Sequence, residues 1–461
     1  MIRTALRPWQ RKLCHWVFPR ERAALFVDPR LGKTLVAVRW AVARGYADVL
    51  VIAPYSAFDA WRKTLHAEGM KWSEFTGLRR ERQEAFFVYL GGFALINYEA
   101  LIRRKKKGGF PGEKIDPAID VWSHDWDAVV LDESYRIANP RSAISKTIVR
   151  EMERRQQRAA RLILTGLPRP ENDLDYFQQL RFLGADIAGA ADFWKYRMYQ
   201  CYNPPGTHEY FLKREAKLAL GCRLAKHAIF LKRTDVRPGQ LEKQYERVLV
   251  RVDGRTRKVL DKIEDDFILE IDGEIVAKTV HTLVTFHWMR KLLGGVHPDY
   301  VYHDKVTAAC ELINETLRGE QVLIWCDYVD EGHLLSDVFS APFICGEVDI
   351  QDRSAMVRRF QSQQTRVLVC QPQAMKYGVD LSAASASVYY SSPLGLDTRV
   401  QSEDRMINLS QKTVKLIYDI VCENTVEEAI CDGLKKKANA DATLREIVAG
   451  VKARIERRTH R

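Results

Sequence analysis

The sequence predicts an α/β protein of two lobes, each a parallel sheet flanked by helices, with a helical insertion between them. Three observations carry that prediction. Short β-branched runs alternate with longer stretches of helical period, which is how parallel strands joined by crossover helices read in sequence. These runs fall into two sets, parted by a long stretch rich in aromatic and basic residues. The 461 residues are 46% hydrophobic and 29% charged, enough apolar content for two or three packed domains and too many charges for a membrane-embedded one.

In chain order, Ala23–Val27, Val49–Ala53, Ala94–Asn97, Ala128–Leu131 and Arg161–Thr165 are the strands expected of the first lobe, residues 1–190. Each is a short apolar run, as strands covered on both faces are. Residues 191–302 lose that pattern. Aromatic and basic helical stretches, with one hairpin-like piece at Ile271-Asp272-Gly273-Glu274, read there as an insertion and linker. The second lobe, residues 303–432, is expected to hold strands Val322–Trp325, Phe343–Cys345, Val367–Cys370, Ser387–Tyr390 and Val414–Ile420. Residues 433–461 read as a basic C-terminal helix, and the run Arg103 to Gly109 as a basic loop.

Nine scattered cysteines, odd in number and without a Cys-x-x-Cys pair, read as reduced core thiols. His15, His281, His287 and His297 have no metal-ligand spacing. No run approaches the roughly 18 apolar residues of a membrane span, and Met1-Ile2-Arg3-Thr4 does not open a signal peptide, so a cytoplasmic location and no membrane partner are expected. A net charge of +12 points to a polyanion as partner, with nucleic acid foremost. Basic clusters at Arg103–Lys107, at Arg154, Arg155, Arg158 and Arg161, and in the tail from Lys435 are candidates for backbone contact; any one of them reads more readily as a solvated face than as a DNA groove, the tail being the strongest candidate.

Chemistry enters directly after the first strand. Leu31-Gly32-Lys33-Thr34 follows the apolar run, and about a hundred residues later Val129-Val130-Leu131 runs into Asp132-Glu133. A Lys and a Thr at the head of a helix suit a nucleoside triphosphate: Gly32 lets the backbone approach, Lys33 reaches the β/γ oxygens, and the Thr34 hydroxyl joins the Mg²⁺ shell. Asp132 is then the carboxylate for Mg²⁺, and Glu133 the group that polarises an attacking water.

Further blocks extend the pattern: Leu6-Arg7-Pro8-Trp9-Gln10, Ile52-Ala53-Pro54 with Trp61, Asn97-Tyr98-Glu99, Asp132-Glu133-Ser134-Tyr135, and Leu164-Thr165-Gly166-Leu167-Pro168. Later come Leu231-Lys232-Arg233-Thr234, Gly378-Val379-Asp380-Leu381 and Gln401-Ser402-Glu403-Asp404-Arg405 closing on Gln411. In order and spacing the chain resembles the Swi/Snf-type ATPases of helicase superfamily two, in the compact form of phage and bacterial members. The resemblance implies two RecA-like lobes that use ATP and Mg²⁺ and track double-stranded DNA through its backbone. By position it gives Gln10 the adenine, Arg30, Leu31, Gly32, Lys33 and Thr34 the phosphates and metal, Asp132 and Glu133 the metal and water, and Thr165 the coupling to DNA. Gly378, Asp380, Gln401 and Arg405 would close over the nucleotide from the second lobe. Trp61 reads as a core residue.

Three departures stand out. Arg30, after Pro29, replaces the glycine common in the family, and either contacts phosphate or points to solvent. Tyr135 stands where a histidine is usual, and Asn408 where the family has a second arginine. An amide cannot stabilise a transferring phosphoryl as a guanidinium does, a contribution of about 10³ to 10⁵ in rate. Either Arg405 or a neighbour such as Arg399 takes that part, or turnover is slow. The expected function is an ATP-dependent DNA translocase. The alternatives are a helicase that unwinds or anneals forks, and a weakly hydrolysing, ATP-gated DNA scaffold.

Overall fold

The computed structural model describes residues 4–77, 79–102, 120–205, 210–236, 243–266, 268–271, 274–278, 282–375, 379–407 and 413–437. Two units emerge, the first running to Pro238 and the second from Gly239 to Ala438. In the first, strands β1 (Arg22–Val27), β2 (Asp48–Ala53), β3 (Trp72–Phe75), β4 (Gly92–Asn97), β5 (Ala128–Asp132), β6 (Ala160–Thr165) and β7 (Ala228–Leu231) form one sheet. Its order is β3-β4-β2-β5-β6-β1-β7 and every pairing is parallel. In the second unit, β8 (Lys243–Val250), β9 (Val322–Trp325), β10 (Phe343–Ile344), β11 (Val367–Cys370), β12 (Ala386–Tyr389) and β13 (Lys415–Cys422) pair in parallel in the order β8-β13-β12-β9-β11-β10. Helices cover both sheets, so the expected fold class holds.

The central strands were legible because they are buried from end to end: β5, β6, β9, β11 and β12 have no exposed residue. Each buried Val, Leu or Ile there contributes roughly 1.5–3 kcal/mol, which selects for unbroken apolar runs. Edge strands are less constrained. β8, Lys-Gln-Tyr-Glu-Arg-Val-Leu-Val, is mostly solvent-facing and β3, Trp-Ser-Glu-Phe, is only partly buried, so neither declares itself by hydrophobicity; β7, Ala-Ile-Phe-Leu, is apolar but only four residues long. The stretch expected as insertion and linker, 191–302, is helical for most of its described length and is shared between the units. Helix Arg214–His227 and β7 pack in the first; β8 and helix Thr282–Leu293, with fully buried Leu292 and Leu293, belong to the second. Paired strands Ile268–Ile271 and Glu274–Lys278 flank the hairpin piece, whose central Asp272 and Gly273 lie outside the described residues.

Seven cysteines are buried and all nine are free thiols; Cys222 is exposed and Cys310 half-buried, so these two are not the core residues expected. Among the described residues no helix is long and apolar enough to cross a membrane, and no His, Cys, Asp or Glu cluster could hold a metal ion by itself. Of the basic clusters, Arg161 is interior: burial pushes its guanidinium down to about 10, and it donates to the carbonyls of Phe182 and Met152. Arg155 pairs with Asp120 at 2.8 Å. Arg103–Lys107 and residues 438–461 lie outside the described residues.

Candidate nucleotide-binding site

Strands β5, β6 and β1 are neighbours, and the chain leaves each at the same sheet edge, where open parallel sheets bind ligands. After β1 the loop Asp28–Gly32 turns into helix Lys33–Ala43. Two consecutive corners use the left-handed region, Arg30 at φ 65° and Gly32 at φ 85°. A side chain at Gly32 would also displace the Gln10 amide. A Cβ there would stand 2.2 Å from Gln10 Nε2, which donates to the Leu31 carbonyl at 3.3 Å. The Leu31 side chain is itself core, 1% exposed, so only its backbone faces the loop. Across the edge, Gly166 admits Pro29, whose Cδ would lie 2.7 Å from a Cβ at that position.

Lys33 and Thr34 open the helix, where unpaired N–H groups and the helix dipole favour anions. Lys33 Nζ donates to the Val27 carbonyl at 2.9 Å and sits 4.0 Å from Glu133 Oε1. Glu133 follows β5 in a left-handed conformation, φ 52°, a strain of the kind that collects at functional sites. Its other oxygen accepts the Thr165 hydroxyl at 3.1 Å, and that hydroxyl accepts Leu167 N–H at 3.1 Å. One carboxylate is thus placed between the lysine of β1's loop and the threonine that ends β6.

Asp132 is held more firmly. Oδ1 accepts Glu133 N–H at 3.0 Å and Oδ2 accepts the Trp61 indole N–H at 2.8 Å, while the Asp132 carbonyl accepts the Tyr98 hydroxyl at 2.8 Å. Burial, then the charge of Glu133, pushes the carboxyl up to about 6, against the opposing pull of Lys33 and the Trp61 hydrogen bond. Trp61, fully buried on helix Phe58–Glu68, is core as expected, but its part in fixing Asp132 was not foreseen. The available signal was chemical: a buried indole N–H needs an acceptor. Thr34 and Asp132 offer a hydroxyl and a carboxylate oxygen, hard donors that suit Mg²⁺ completed by phosphate and water.

In the second unit, Gly378 and Asn408 lie outside the described residues. Asp380 is exposed and accepts Ser382 N–H at 3.1 Å. Gln401 is half-buried on helix Leu396–Asp404; Arg405, just past its end, donates to the Val379 carbonyl at 3.4 Å, so the Asp380 loop and Arg405 are adjacent. Arg399 is not available as a substitute arginine. It is 6% exposed, lies 3.4 Å over the Tyr389 ring, and pairs with Glu403 at 2.7 Å and Asp419 at 2.5 Å.

Comparison with known proteins agrees with this geometry. The SNF2-related domain matches residues 9–291, well over half of the chain, and the helicase conserved C-terminal domain matches residues 304–409. The ISWI chromatin-remodeling complex ATPase ISW1 of Saccharomyces cerevisiae is 25% identical over 95% of this chain and 40% of its own length. A putative ATP-dependent helicase/translocase of Bacillus subtilis, YwqA, is 21% identical over 94% of this chain and 48% of its own. The chain therefore spans less than half the length of these relatives. The Sulfolobus solfataricus SWI2/SNF2 ATPase core, solved in complex with dsDNA, aligns over 98% of this chain and 95% of that one at 19% identity and a TM-score of 0.44. With both domains matched in order, the chain belongs to the SNF2-related family, the Swi/Snf type within helicase superfamily two.

Proposed function

We propose that the chain is a DNA-dependent ATPase that converts hydrolysis into movement along duplex DNA. The observation that carries the reading is the convergence of Lys33, Asp132, Glu133 and Thr165 at one sheet edge in a chain of this family. Bound Mg²⁺ supplies charge neutralisation for the transferring phosphoryl. Thr34 and Asp132 would hold it, Lys33 would exchange the Val27 carbonyl for phosphate oxygen, and Glu133 would orient and polarise the attacking water. Thr165, on Glu133, reports on that carboxylate to the loop after β6. The loop with Arg30 and Gly32 receives the phosphates; Gln10 braces that loop and meets the base. Gly378, Asp380, Gln401 and Arg405 keep the parts that the family resemblance gives them, with Arg405 as the transition-state arginine now that Arg399 is engaged elsewhere.

Trp61→Phe tests the hold on Asp132. Losing one donor to a buried carboxylate costs about 1–3 kcal/mol, so ATP hydrolysis is expected to fall roughly tenfold or more, with a raised Mg²⁺ requirement. A Mg²⁺ titration of hydrolysis and of fluorescent-nucleotide binding reads this; unchanged Mg²⁺ dependence would remove the role. Translocation is separated from fork unwinding by displacement of a third strand from a DNA triplex. Release of the third strand with ATP, with no opening of a matched fork, is the expected outcome; fork opening would favour the helicase reading.

A further inference from the structure

Helix Phe193–Gln200 turns Tyr196 inward, with its ring 4.7 Å from Phe177. Its other face is unusually apolar for a surface. Trp194 is 46% exposed, Met198 63% and Tyr199 64%, and the short ribbon Cys201–Tyr202 with Phe211–Leu212 adds exposed Tyr202 and Phe211. Guanidinium groups are layered among these rings. Arg141 lies 4.8 Å from the Trp194 centroid, Arg197 lies 4.6 Å from the same ring, and Arg197 also lies 4.2 Å from Tyr210. The result is a ladder of arginine and aromatic planes, contributed by two separate parts of the first unit.

Among the described residues neither Arg141 nor Arg197 pairs with a carboxylate, although a guanidinium on a protein surface commonly does. Residues 193–217 carry five Lys or Arg against two Glu. An arginine stacked on a ring has its plane fixed while its N–H edge stays free for an acceptor, and phosphate is the acceptor that its fork fits best. Exposed rings beside such forks are what unstacked bases use. Protein interfaces also combine arginine with aromatic rings, but the excess of Lys and Arg over Glu in this segment, in a chain of net charge +12, favours a polyanion.

We propose that the Arg141–Trp194–Arg197–Tyr210 ladder is a nucleic-acid contact separate from the ATP site, taking consecutive phosphodiester groups on its arginines and bases of single-stranded DNA on its exposed rings. It rests on the reading that DNA is the polymer this chain engages. None of its residues belongs to the candidate nucleotide site, so its loss leaves DNA-free ATP hydrolysis unchanged.

The test is fluorescence anisotropy of the full chain with a labelled single-stranded oligonucleotide and a labelled duplex, across a salt series. Replacing Arg141 and Arg197 together by Gln is expected to lower the slope of log affinity against log salt by about 1.4 for single strands, at roughly 0.7 per phosphate contact. Tyr199→Ala, which removes an exposed ring that holds neither arginine, is expected to weaken single-strand binding by about 5- to 150-fold without changing that slope, the loss of one stacked base. Unchanged DNA-free ATP hydrolysis shows that the Gln protein is folded, and Lys at both arginines is expected to restore the slope. Loss confined to duplex would assign the ladder to duplex backbone and overturn the single-strand assignment. Unchanged slope and affinity with both forms, or loss of oligoglutamate binding alone, would overturn the proposal while wild-type DNA binding leaves the motor reading intact. No DNA binding by the wild type would overturn both.

Discussion

Lys33→Ala is expected to abolish measurable ATP hydrolysis, lowering turnover by on the order of 10²- to 10³-fold or more, as removing one preorganised charge donor does. The fold should survive. The lysine's amino group is tied to the Val27 carbonyl and stands 4.0 Å from Glu133, so alanine removes one hydrogen bond and a loose ion pair, a cost of about 1 kcal/mol. Glu133→Gln acts differently. Its side chain keeps an oxygen to accept the Thr165 hydroxyl, yet loses the charge that polarises water, so nucleotide binding persists while hydrolysis stops. Steady-state phosphate release together with equilibrium nucleotide binding separates the two variants.

Lys305→Met is expected to be the most destabilising single change in the second unit. Lys305 is completely buried, pairs with Glu427, and lies 4.9 Å from the centre of the Tyr390 ring. Removing it strands buried Glu427 and leaves fully buried Glu331 with Arg290 as its remaining favourable cation. Breaking a buried pair costs about 3–5 kcal/mol, which for a unit of this size lowers its melting temperature by roughly 6–20 °C. Calorimetry on Lys305→Met, and on the double change with Glu427→Leu, checks it; the double variant should recover much of the loss, because an apolar pair of similar volume avoids the stranded charge. Acidity adds a second handle. Burial pushes Glu331 up to about 7 against the pull of Lys305, so the folded state holds a proton that the unfolded chain releases near 4.5. Stability from this group is therefore fully present below pH about 4.5 and is lost as pH rises through about 7. Glu331→Gln is expected to flatten that part of the stability profile.

The reach of sequence reasoning follows from locality. Asp132 with Glu133, and Thr165, sit at the ends of apolar strands, and Lys33 with Thr34 open the helix one short loop after β1, so period and spacing place them near the sheet edge without any tertiary information. The link between Trp61 and Asp132 spans 71 positions, and a tryptophan on the inner face of a helix reads as packing until its N–H is followed to an acceptor. Arg399 shows the reverse error. As a sequence letter near the last motif it is a reasonable second arginine; only its burial between Glu403 and Asp419 removes it. Edge strands β3 and β8 escaped because partial exposure relaxes the demand for apolar residues, and β7 because four apolar residues are too short a run to stand out. The ladder around Trp194 escaped for a similar reason: Arg141 and Arg197 are far apart in sequence and meet only in the folded unit.

Steady-state ATP hydrolysis with and without duplex DNA, for the wild type, Lys33→Ala and Glu133→Gln, tests the central claim most directly. Hydrolysis that rises with duplex and vanishes in both variants is the predicted result. Hydrolysis that is indifferent to duplex, or that persists in either variant, would contradict a DNA-driven motor built on Lys33 and Glu133.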